Sequence, residues 1–372
     1  MNSINSLRHK APGFEVERLA SLESMEGISY VAESEPTRHW TRVPGGAVLH
    51  AVYPGLLVAV TIALAATWLS QKYNAPVMLF ALLIGMAFHF LHEDGRCVVG
   101  IEFASRSVLR IGVALLGARV TVAQVVSLGI VPVLTVIVGV ATTIAIGMLV
   151  ARWLNLTRLF GALSGGAVAI CGASAALAIA SVLPRHKDIE RDTILAVVAV
   201  TTLSTLAMII YPGLVGLLHL DHVHAGVFLG GTIHDVAQVV GAGYMISPET
   251  GDIATYVKLL RVAMLLPVVS IVGWVTSRGT FNSASRKRQI IPMFLLGFAA
   301  LVVIDSIGLL TPPLANLATT VSSACLVTAI AALGMKTSFK DLIIVGWRPV
   351  GLMVVETAWI ALLVLVAIEF ML

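Results

Sequence analysis

Residues 126–151 read VSLGIVPVLTVIVGVATTIAIGMLVA, a run of 26 residues without a charged side chain. A helix needs about 20 apolar residues to cross the hydrocarbon core of a bilayer, so this run predicts a transmembrane span. Runs of similar length recur from Val48 to the C-terminus with short polar breaks between them. They are too long for the strands of a membrane barrel and lack the alternation of such strands. The sequence therefore predicts an all-α polytopic membrane protein with about 11 transmembrane helices.

The composition agrees with a lipid environment. Of the 372 residues, 58% are hydrophobic and 12% are charged, a balance that a soluble domain of this size could not bury in one core. The net charge of +4 comes from basic residues at span ends and not from one patch, so nucleic acid is not a predicted partner. Cys97, Cys171 and Cys325 lie far apart, and they predict neither a disulfide framework nor a zinc site.

The positions of the spans and charges predict a topology. The predicted spans are 48–70, 76–92, 101–120, 126–151, 159–182, 192–218, 223–246, 254–277, 289–310, 315–335 and 345–371. Residues 1–46 are polar and form a predicted cytoplasmic tail, whereas residues 47–372 form the predicted transmembrane domain. With the N-terminus inside, the cytoplasmic loops hold most of the Arg and Lys residues, above all the basic cluster at 286–288. We expect a multi-pass protein of the cell inner membrane with a cytoplasmic N-terminus.

The sequence contains an internal repeat. Val113-Ala-Leu-Leu-Gly-Ala-Arg-Val-Thr121 matches Ile330-Ala-Ala-Leu-Gly-Met-Lys-Thr-Ser338 at an offset of 217 residues, and the match continues at this offset through Gly129 and Pro132. An odd number of predicted spans lies between the two copies, so we expect the copies to have opposite orientations in the membrane. Inverted repeats are typical of secondary transporters that expose a midplane site to each side in turn.

The first candidate site is the polar segment Leu229-Gly-Gly-Thr-Ile-His-Asp-Val-Ala-Gln-Val-Val-Gly-Ala-Gly243. Ionisable groups inside a span cost about 2.5 to 3.5 kcal/mol on insertion scales, so each needs a reason. On a continuous helix His234 and Gln238 would share one face, with Asp235 about 100° away from His234. The flanking glycines also allow the helix to break and to direct its N-terminal amides at an anion. The alternative is a packed helix whose polar side chains bond a neighbour. The predicted site residues of this segment are Gly231, Thr232, His234, Asp235 and Gln238.

The second candidate site is the small-residue segment Leu163-Ser-Gly-Gly-Ala-Val-Ala-Ile-Cys-Gly-Ala-Ser-Ala-Ala176. It offers hydroxyl groups and uncovered backbone where a lipid-facing helix would carry Leu. Because small residues are also a common device for packing membrane helices, close packing is the alternative. The predicted contributors to a site are the backbone of Gly172 and the hydroxyl of Ser174.

Three cations complete the predicted site. Arg110 lies in one pair of basic residues with helical spacing, and Lys258 with Arg261 forms another. Arg supplies a planar fork for oxyanions and Lys a point charge, so an anionic substrate would favour such groups. The same residues could instead extend to the membrane surface or neutralise intramembrane carboxylates.

Several ordered motifs resemble the YeiH, or UPF0324, family, to which sulfate export is ascribed. The resemblance covers about residues 50–372. The matching motifs are GGTIHDVAQVVGAG at 230–243, LRIGVALLG at 109–117, ICGASAA at 170–176, KLLRVAMLLP at 258–267 and AALGM at 331–335. One departure is Asp235, where many members carry Glu, so the carboxylate is kept on a shorter arm.

The resemblance implies a permease for a small anion, such as sulfate or a related sulfonate or carboxylate. It also implies two discontinuous helices that cross in a core, and by analogy a homodimer. His234 and Asp235 are the predicted proton-coupling pair, because a His can change its charge near physiological pH. No nucleotide-binding, metal-binding or hydrolase motif is found in a matching context, so neither a cofactor nor enzymatic activity is predicted.

Two other functions stay open on the sequence alone. The first is a cation/proton antiporter that uses Asp235. The second, from a different class, is a membrane sensor or intramembrane enzyme with His234 and Asp235 as acid and base.

Overall fold

The structure is a computed structural model. It describes residues 45–73, 75–93, 95–119, 129–184, 188–276, 293–337 and 346–370. All of these belong to one compact unit, Val43–Leu372. The predicted cytoplasmic tail lies outside the described residues except for its last two, and so does the basic cluster at 286–288.

Most of the described residues are helical and none forms a strand, which confirms the predicted all-α class. The helices are α1 Gly45–Tyr73, α2 Val77–Ala87, α3 Phe90–Glu93, α4 Val98–Phe103, α5 Leu109–Leu116, α6 Val131–Trp153, α7 Arg158–Ala169, α8 Ala173–Val182, α9 Ile189–Leu217, α10 His222–Thr232, α11 Val236–Ile246, α12 Pro248–Ala263, α13 Leu265–Thr276, α14 Met293–Ser306, α15 Pro312–Lys336 and α16 Trp347–Glu369. A π-helical turn, Ala104–Val108, joins α4 to α5.

Six helical segments within the described ranges are long and apolar enough to cross a bilayer. They are His50–Tyr73, Val131–Trp153, Ile189–Leu217, Pro248–Val275, Pro312–Lys336 and Trp347–Glu369. The other apolar helices are shorter, and each of the eleven predicted spans overlaps at least one described helix. Several predicted spans are therefore built from two or three shorter helices.

Local sequence explains where several helices begin. Thr157 Oγ1 accepts a hydrogen bond from the amide of Phe160 at 3.0 Å at the start of α7. Ser247 accepts one from the amide of Thr250 at 3.0 Å at the start of α12, where Pro248 is the first helical residue. A hydroxyl at the N-cap accepts a hydrogen bond from an unpaired amide of the first turn, and a Pro at the first position has no N–H that would need a partner.

The two sequence copies have matching helices. A shift of 217 residues carries α6 onto 348–370, one residue from the bounds of α16. The same shift carries α2 onto 294–304, inside α14, and carries the run from α4 through α5 onto 315–333, inside α15. The repeat therefore comprises at least three spans in each copy.

Contacts between α6 and α16 show that the copies are inverted. A Cβ placed on Gly147 would lie 2.4 Å from Glu356 Oε1, and one placed on Gly139 would lie 3.8 Å from Leu363 Cδ2. Residue numbers thus fall along α6 as they rise along α16, so the two equivalent helices are antiparallel.

A local twofold axis passes between these two helices. Trp359 Nε1 donates a hydrogen bond to Thr142 Oγ1 at 3.1 Å, and the two residues are 217 positions apart. Antiparallel helices whose equivalent positions meet are the arrangement that a local twofold axis between two copies produces. Both residues lie near the middle of their helices, so the axis crosses the domain near half its depth.

The packing of the remaining repeat helices is reciprocal. α2 packs against α15, and their equivalents α14 and α5 pack against each other. A Cβ on Gly334 would lie 2.5 Å from the carbonyl oxygen of Leu82, and one on the equivalent Gly117 would lie 2.3 Å from that of Phe298. The same small residue thus permits the same close backbone approach in both copies.

The Gly117→Ala and Gly334→Ala variants are each expected to lower the free energy of unfolding by about 2 kcal/mol, because the added methyl group meets backbone that cannot move aside. The measurement is the midpoint of unfolding in detergent. Gly213→Ala in α9 is the matched control, since a Cβ there meets no atom within 4 Å. Equal stability of all three variants would contradict the reciprocal packing.

Candidate functional site

The span 159–182 is broken at its centre. α7 ends at Ala169 and α8 begins at Ala173. Gly172 between them has φ 69° and ψ −127°, a backbone conformation that side chains with a Cβ rarely adopt. This glycine therefore makes the break possible, and the predicted discontinuous helix is present.

The span 223–246 is broken in the same way. α10 ends at Thr232 and α11 begins at Val236, with Ile233, His234 and Asp235 between them. Asp235 is the N-cap of α11, and its Oδ1 accepts a hydrogen bond from the amide of Ala237 at 2.7 Å. The break is thus stabilised by a short polar side chain instead of a glycine.

This break corrects one expectation from the sequence. His234 lies outside α11, so it does not share a helix face with Gln238, which lies inside α11. The Gln238 Nε2 atom instead donates to Thr205 Oγ1 on α9 at 2.8 Å. Helical spacing does not reach from Gln238 to His234, because the backbone of Ile233 and Asp235 on either side of His234 is extended.

The two breaks lie against each other. A Cβ placed on Gly172 would lie 3.7 Å from the carbonyl oxygen of His234. We call residues 168–174 and 230–238 together the crossing. It brings both predicted polar segments into one place. Helix α12 packs against α10 and α11 and carries two buried cations to this place.

Lys258 binds the C-terminal ends of α7 and α10, the first helix of each broken span. Its side chain is 0% exposed, and Nζ donates to the carbonyl oxygens of Ile170 at 2.6 Å and Ile233 at 3.1 Å. Nζ also donates to the carbonyl oxygen of His234. These carbonyls belong to residues that directly follow α7 and α10, where no helical amide is left to bond them.

Arg261 does the same one turn later. It is 1% exposed, and Nε and Nη2 donate to Ala169 and Val168 carbonyls of α7 at 2.7 and 2.6 Å. Its Nη1 donates to the carbonyls of Gly230 of α10 and of Ile233, the residue after α10, at 3.2 and 3.0 Å. The C-terminal end of a helix carries a partial negative charge, so both cations lie where the helix dipoles favour them.

His234 is held by three elements. Its Nδ1 lies 3.1 Å from the Val168 carbonyl on α7, and its Nε2 lies 3.0 Å from Thr357 Oγ1 on α16. A carbonyl only accepts hydrogen bonds, so the neutral ring carries its hydrogen on Nδ1 and accepts from Thr357 at Nε2. Its backbone amide and that of Asp235 both donate to Ser204 Oγ on α9, at 3.2 and 3.0 Å.

The other predicted residues have different surroundings. Thr232 is fully buried and donates to the Phe228 carbonyl of its own helix at 2.6 Å. Ser174 donates to the Cys171 carbonyl at 3.0 Å, also within its own segment. Arg110 is half-buried on α5, a helix that packs against α14 and α15.

A small cavity adjoins the crossing. Gly231 and Arg261 line it from one side, and Thr135 of α6 and Val364 of α16 line it from the other. A Cβ on Gly231 would lie 3.0 Å from Val364, so a larger side chain would close the space. Most of the lining is apolar, apart from the Thr135 hydroxyl and the guanidinium.

Sequence reasoning missed the residues that support the crossing from α9 and α16. Ser204 and Thr205 stand beside two further hydroxyl residues of α9, Thr201 and Thr202, and Thr357 is the one hydroxyl residue of α16. Thr and Ser commonly bond their own helix backbone, so their presence in a span signals nothing by itself. Only the folded chain reveals that they bond the break.

Comparisons with known proteins give the family. Residues 54–353 match the family model described as "Conserved hypothetical protein 698". A UPF0324 membrane protein of Chlorobaculum tepidum is 54% identical over 86% of this chain and 90% of its own length. A second, from Rhizobium meliloti, is 48% identical over 87% of this chain and 94% of its own length.

A further relative carries a protein name. The UPF0324 membrane protein TauZ of Paracoccus denitrificans is 45% identical over 88% of this chain and 98% of its own length. No solved structure shows a significant match to this chain. The helical membrane architecture and these near full-length identities lead to one conclusion: the chain belongs to the UPF0324 family of membrane proteins.

Proposed function

We propose that the protein is a secondary transporter for a small anion, such as sulfate or a related sulfonate or carboxylate, in the cell inner membrane. The observation that carries the proposal is the pair of buried cations, Lys258 and Arg261, at the crossing of two broken helices. Transporters bind substrates near the membrane midplane at such interrupted helices. The inverted repeat supports the same class of function.

The charges around the crossing favour an anion. Lys258 and Arg261 balance the negative ends of α7 and α10, so the positive ends of α8 and α11 remain. No side chain caps the N-terminus of α8, whose N-cap residue is Gly172. Asp235 occupies the N-terminus of α11, and we therefore place the anion at the start of α8.

Two side chains can complete that place. The hydroxyl of Ser174 lies in the first turn of α8 and can turn from the Cys171 carbonyl to a substrate oxygen. Gln238 Oε1 is buried and has no hydrogen-bond partner among the described residues. Such an atom is available to a water molecule or to a donor on the substrate.

Proton coupling is assigned to His234 and Asp235. His234 can take a second proton on Nε2 without moving its ring, because Thr357 Oγ1 can rotate from donor to acceptor. Asp235 sits beside it on the same break. Export as the direction of transport, a cytoplasmic N-terminus and a homodimer stay predictions from the sequence and from the family resemblance.

The test is uptake of labelled sulfate into proteoliposomes with and without a proton gradient, after a thermal-shift screen of small anions. Ser174→Ala should weaken anion binding about tenfold, as expected for one hydrogen bond to a charged ligand. The matched control is Ser181→Ala, which removes an exposed serine of the same helix whose hydroxyl also bonds its own backbone.

The outcomes separate the candidate functions. An anion response in the wild type that is weakened by Ser174→Ala and not by Ser181→Ala supports the proposal. Absence of any anion response, with a sodium or potassium response lost in Asp235→Asn, would replace it by the cation/proton antiporter. His234→Ala should abolish the dependence of anion flux on the proton gradient, and unchanged coupling would refute that role.

A further inference from the structure

The carboxyl of Glu356 is buried within a predicted span and lies outside the crossing. Glu356 lies near the middle of α16 and is 0% exposed. Its Oε1 accepts a hydrogen bond from Ser164 Oγ of α7 at 2.7 Å. Its Oε2 has no hydrogen-bond partner among the described residues, and none of their cationic side chains forms an ion pair with it.

The surroundings of Glu356 are packed closely. A Cβ on Gly147 of α6 would lie 2.4 Å from Glu356 Oε1 and 2.5 Å from the Gly161 carbonyl of α7. Nearby on α6, Thr143 Oγ1 is also buried without a partner among the described residues. The cavity beside Arg261 is lined by other residues.

This arrangement fits a proton better than a metal cation. A carboxylate without a counterion is unfavourable in such surroundings, and neutralising it removes the penalty. A sodium ion would need several oxygen ligands and the space to hold them, whereas the glycines leave no such space. A proton on Oε2 needs no added volume, and the Ser164 hydroxyl can keep bonding Oε1.

The charged groups around Glu356 are few. On α6 and α7, Arg152 and Arg158 lie at the exposed helix ends, far along the chain from Gly147 and Ser164. On α10 the titratable residues are in the first turn, and so are the charged residues of α9. A titratable group also bonds the next residue of α16: the His234 ring lies 3.0 Å from Thr357 Oγ1.

We propose that Glu356 is a proton-binding group of the transport cycle, protonated on Oε2 while α7 is packed against α16. When α7 and α16 separate, the carboxyl gives this proton to water and becomes a carboxylate, and repacking takes a proton up again. The transport role rests on the proposed function. The protonated state of the carboxyl does not depend on it.

The protonated state is tested by infrared spectroscopy of the purified full-length protein at neutral pH. The wild type should show the carbonyl stretching band of a protonated carboxyl, shifted in D₂O, and Glu356→Gln should lack it. Glu102→Gln is the control, because Glu102 is paired with Arg106 at 3.4 Å and should contribute no such band. An unchanged spectrum in Glu356→Gln overturns the proposal whether or not the protein transports anions.

The transport role is tested in proteoliposomes. Glu356→Gln imitates the neutral carboxyl, so it should keep the wild-type melting temperature and the thermal shift with the anion. Accumulation driven by a proton gradient should fall to the level of protein-free vesicles, whereas anion exchange without net proton movement should persist. Accumulation at the wild-type rate, or a variant that no longer folds, overturns the proposal. A wild type without any anion flux would instead count against the proposed function.

Discussion

Replacing Arg261 by Met is expected to lower the free energy of unfolding by about 4 kcal/mol. The guanidinium donates to four backbone carbonyls at the ends of α7 and α10. Hydrogen bonds to a charged group contribute about 1.5–3 kcal/mol each, and Met leaves all four acceptors buried without their donor. Unfolding in detergent can be followed with a thiol-reactive dye, since Cys171 is buried in the fold.

Two variants control this experiment. Arg152→Met removes the same charge from the exposed end of α6 and should change stability by less than about 0.5 kcal/mol. Arg261→Lys restores the charge without the planar fork of donors, so an intermediate stability is expected. If Arg261→Met were as stable as Arg152→Met, the guanidinium would not support the ends of the broken helices.

The second large effect is expected from Ser204→Ala, which should cost about 3 kcal/mol of stability. One hydroxyl oxygen accepts hydrogen bonds from the amides of both His234 and Asp235. These amides have no helical acceptor, because the backbone at both residues is extended or irregular. Alanine leaves two buried donors unpaired, and the measurement is again the unfolding midpoint.

The loss of stability should depend on which serine is replaced, because only Ser204 bonds the two amides of the break. Ser181→Ala removes an exposed hydroxyl that bonds its own helix at 2.7 Å, and we expect no measurable change from it. Ser204→Thr keeps the oxygen and should retain most of the stability. Equal stability of Ser204→Ala and wild type would mean that another group satisfies the two amides.

Much of the fold follows from patterns that the sequence shows directly. The apolar runs predict the spans, because the bilayer fixes their length and composition. The repeat can be found from a constant offset of 217 residues, and the contact of Thr142 with its equivalent Trp359 shows that the offset reflects a real axis. Both helix breaks fall where Gly, Ser, Thr, His and Asp replace the large apolar residues of a lipid-facing helix.

The candidate site could be located from the sequence, but the roles of its residues could not be assigned. The sequence predicts that Lys258 and Arg261 bind substrate, and that role stays a prediction. In the structure both side chains donate to backbone carbonyls. Every residue has a carbonyl, so no sequence pattern indicates which carbonyls a cation will bind. The prediction that His234 and Gln238 share a helix face was wrong, because helical periodicity ends where the backbone becomes extended.

The bonds from α12 have a mechanical consequence. Lys258 and Arg261 connect six carbonyl groups from two separate broken helices to neighbouring turns of one helix. Pulling any of these three parts away from the others would break several charged hydrogen bonds at once in a place without water. Segments 158–182, 222–246 and 248–263 should therefore travel as a single rigid body in any conformational change. The sliding surfaces must then lie around that body and not within it.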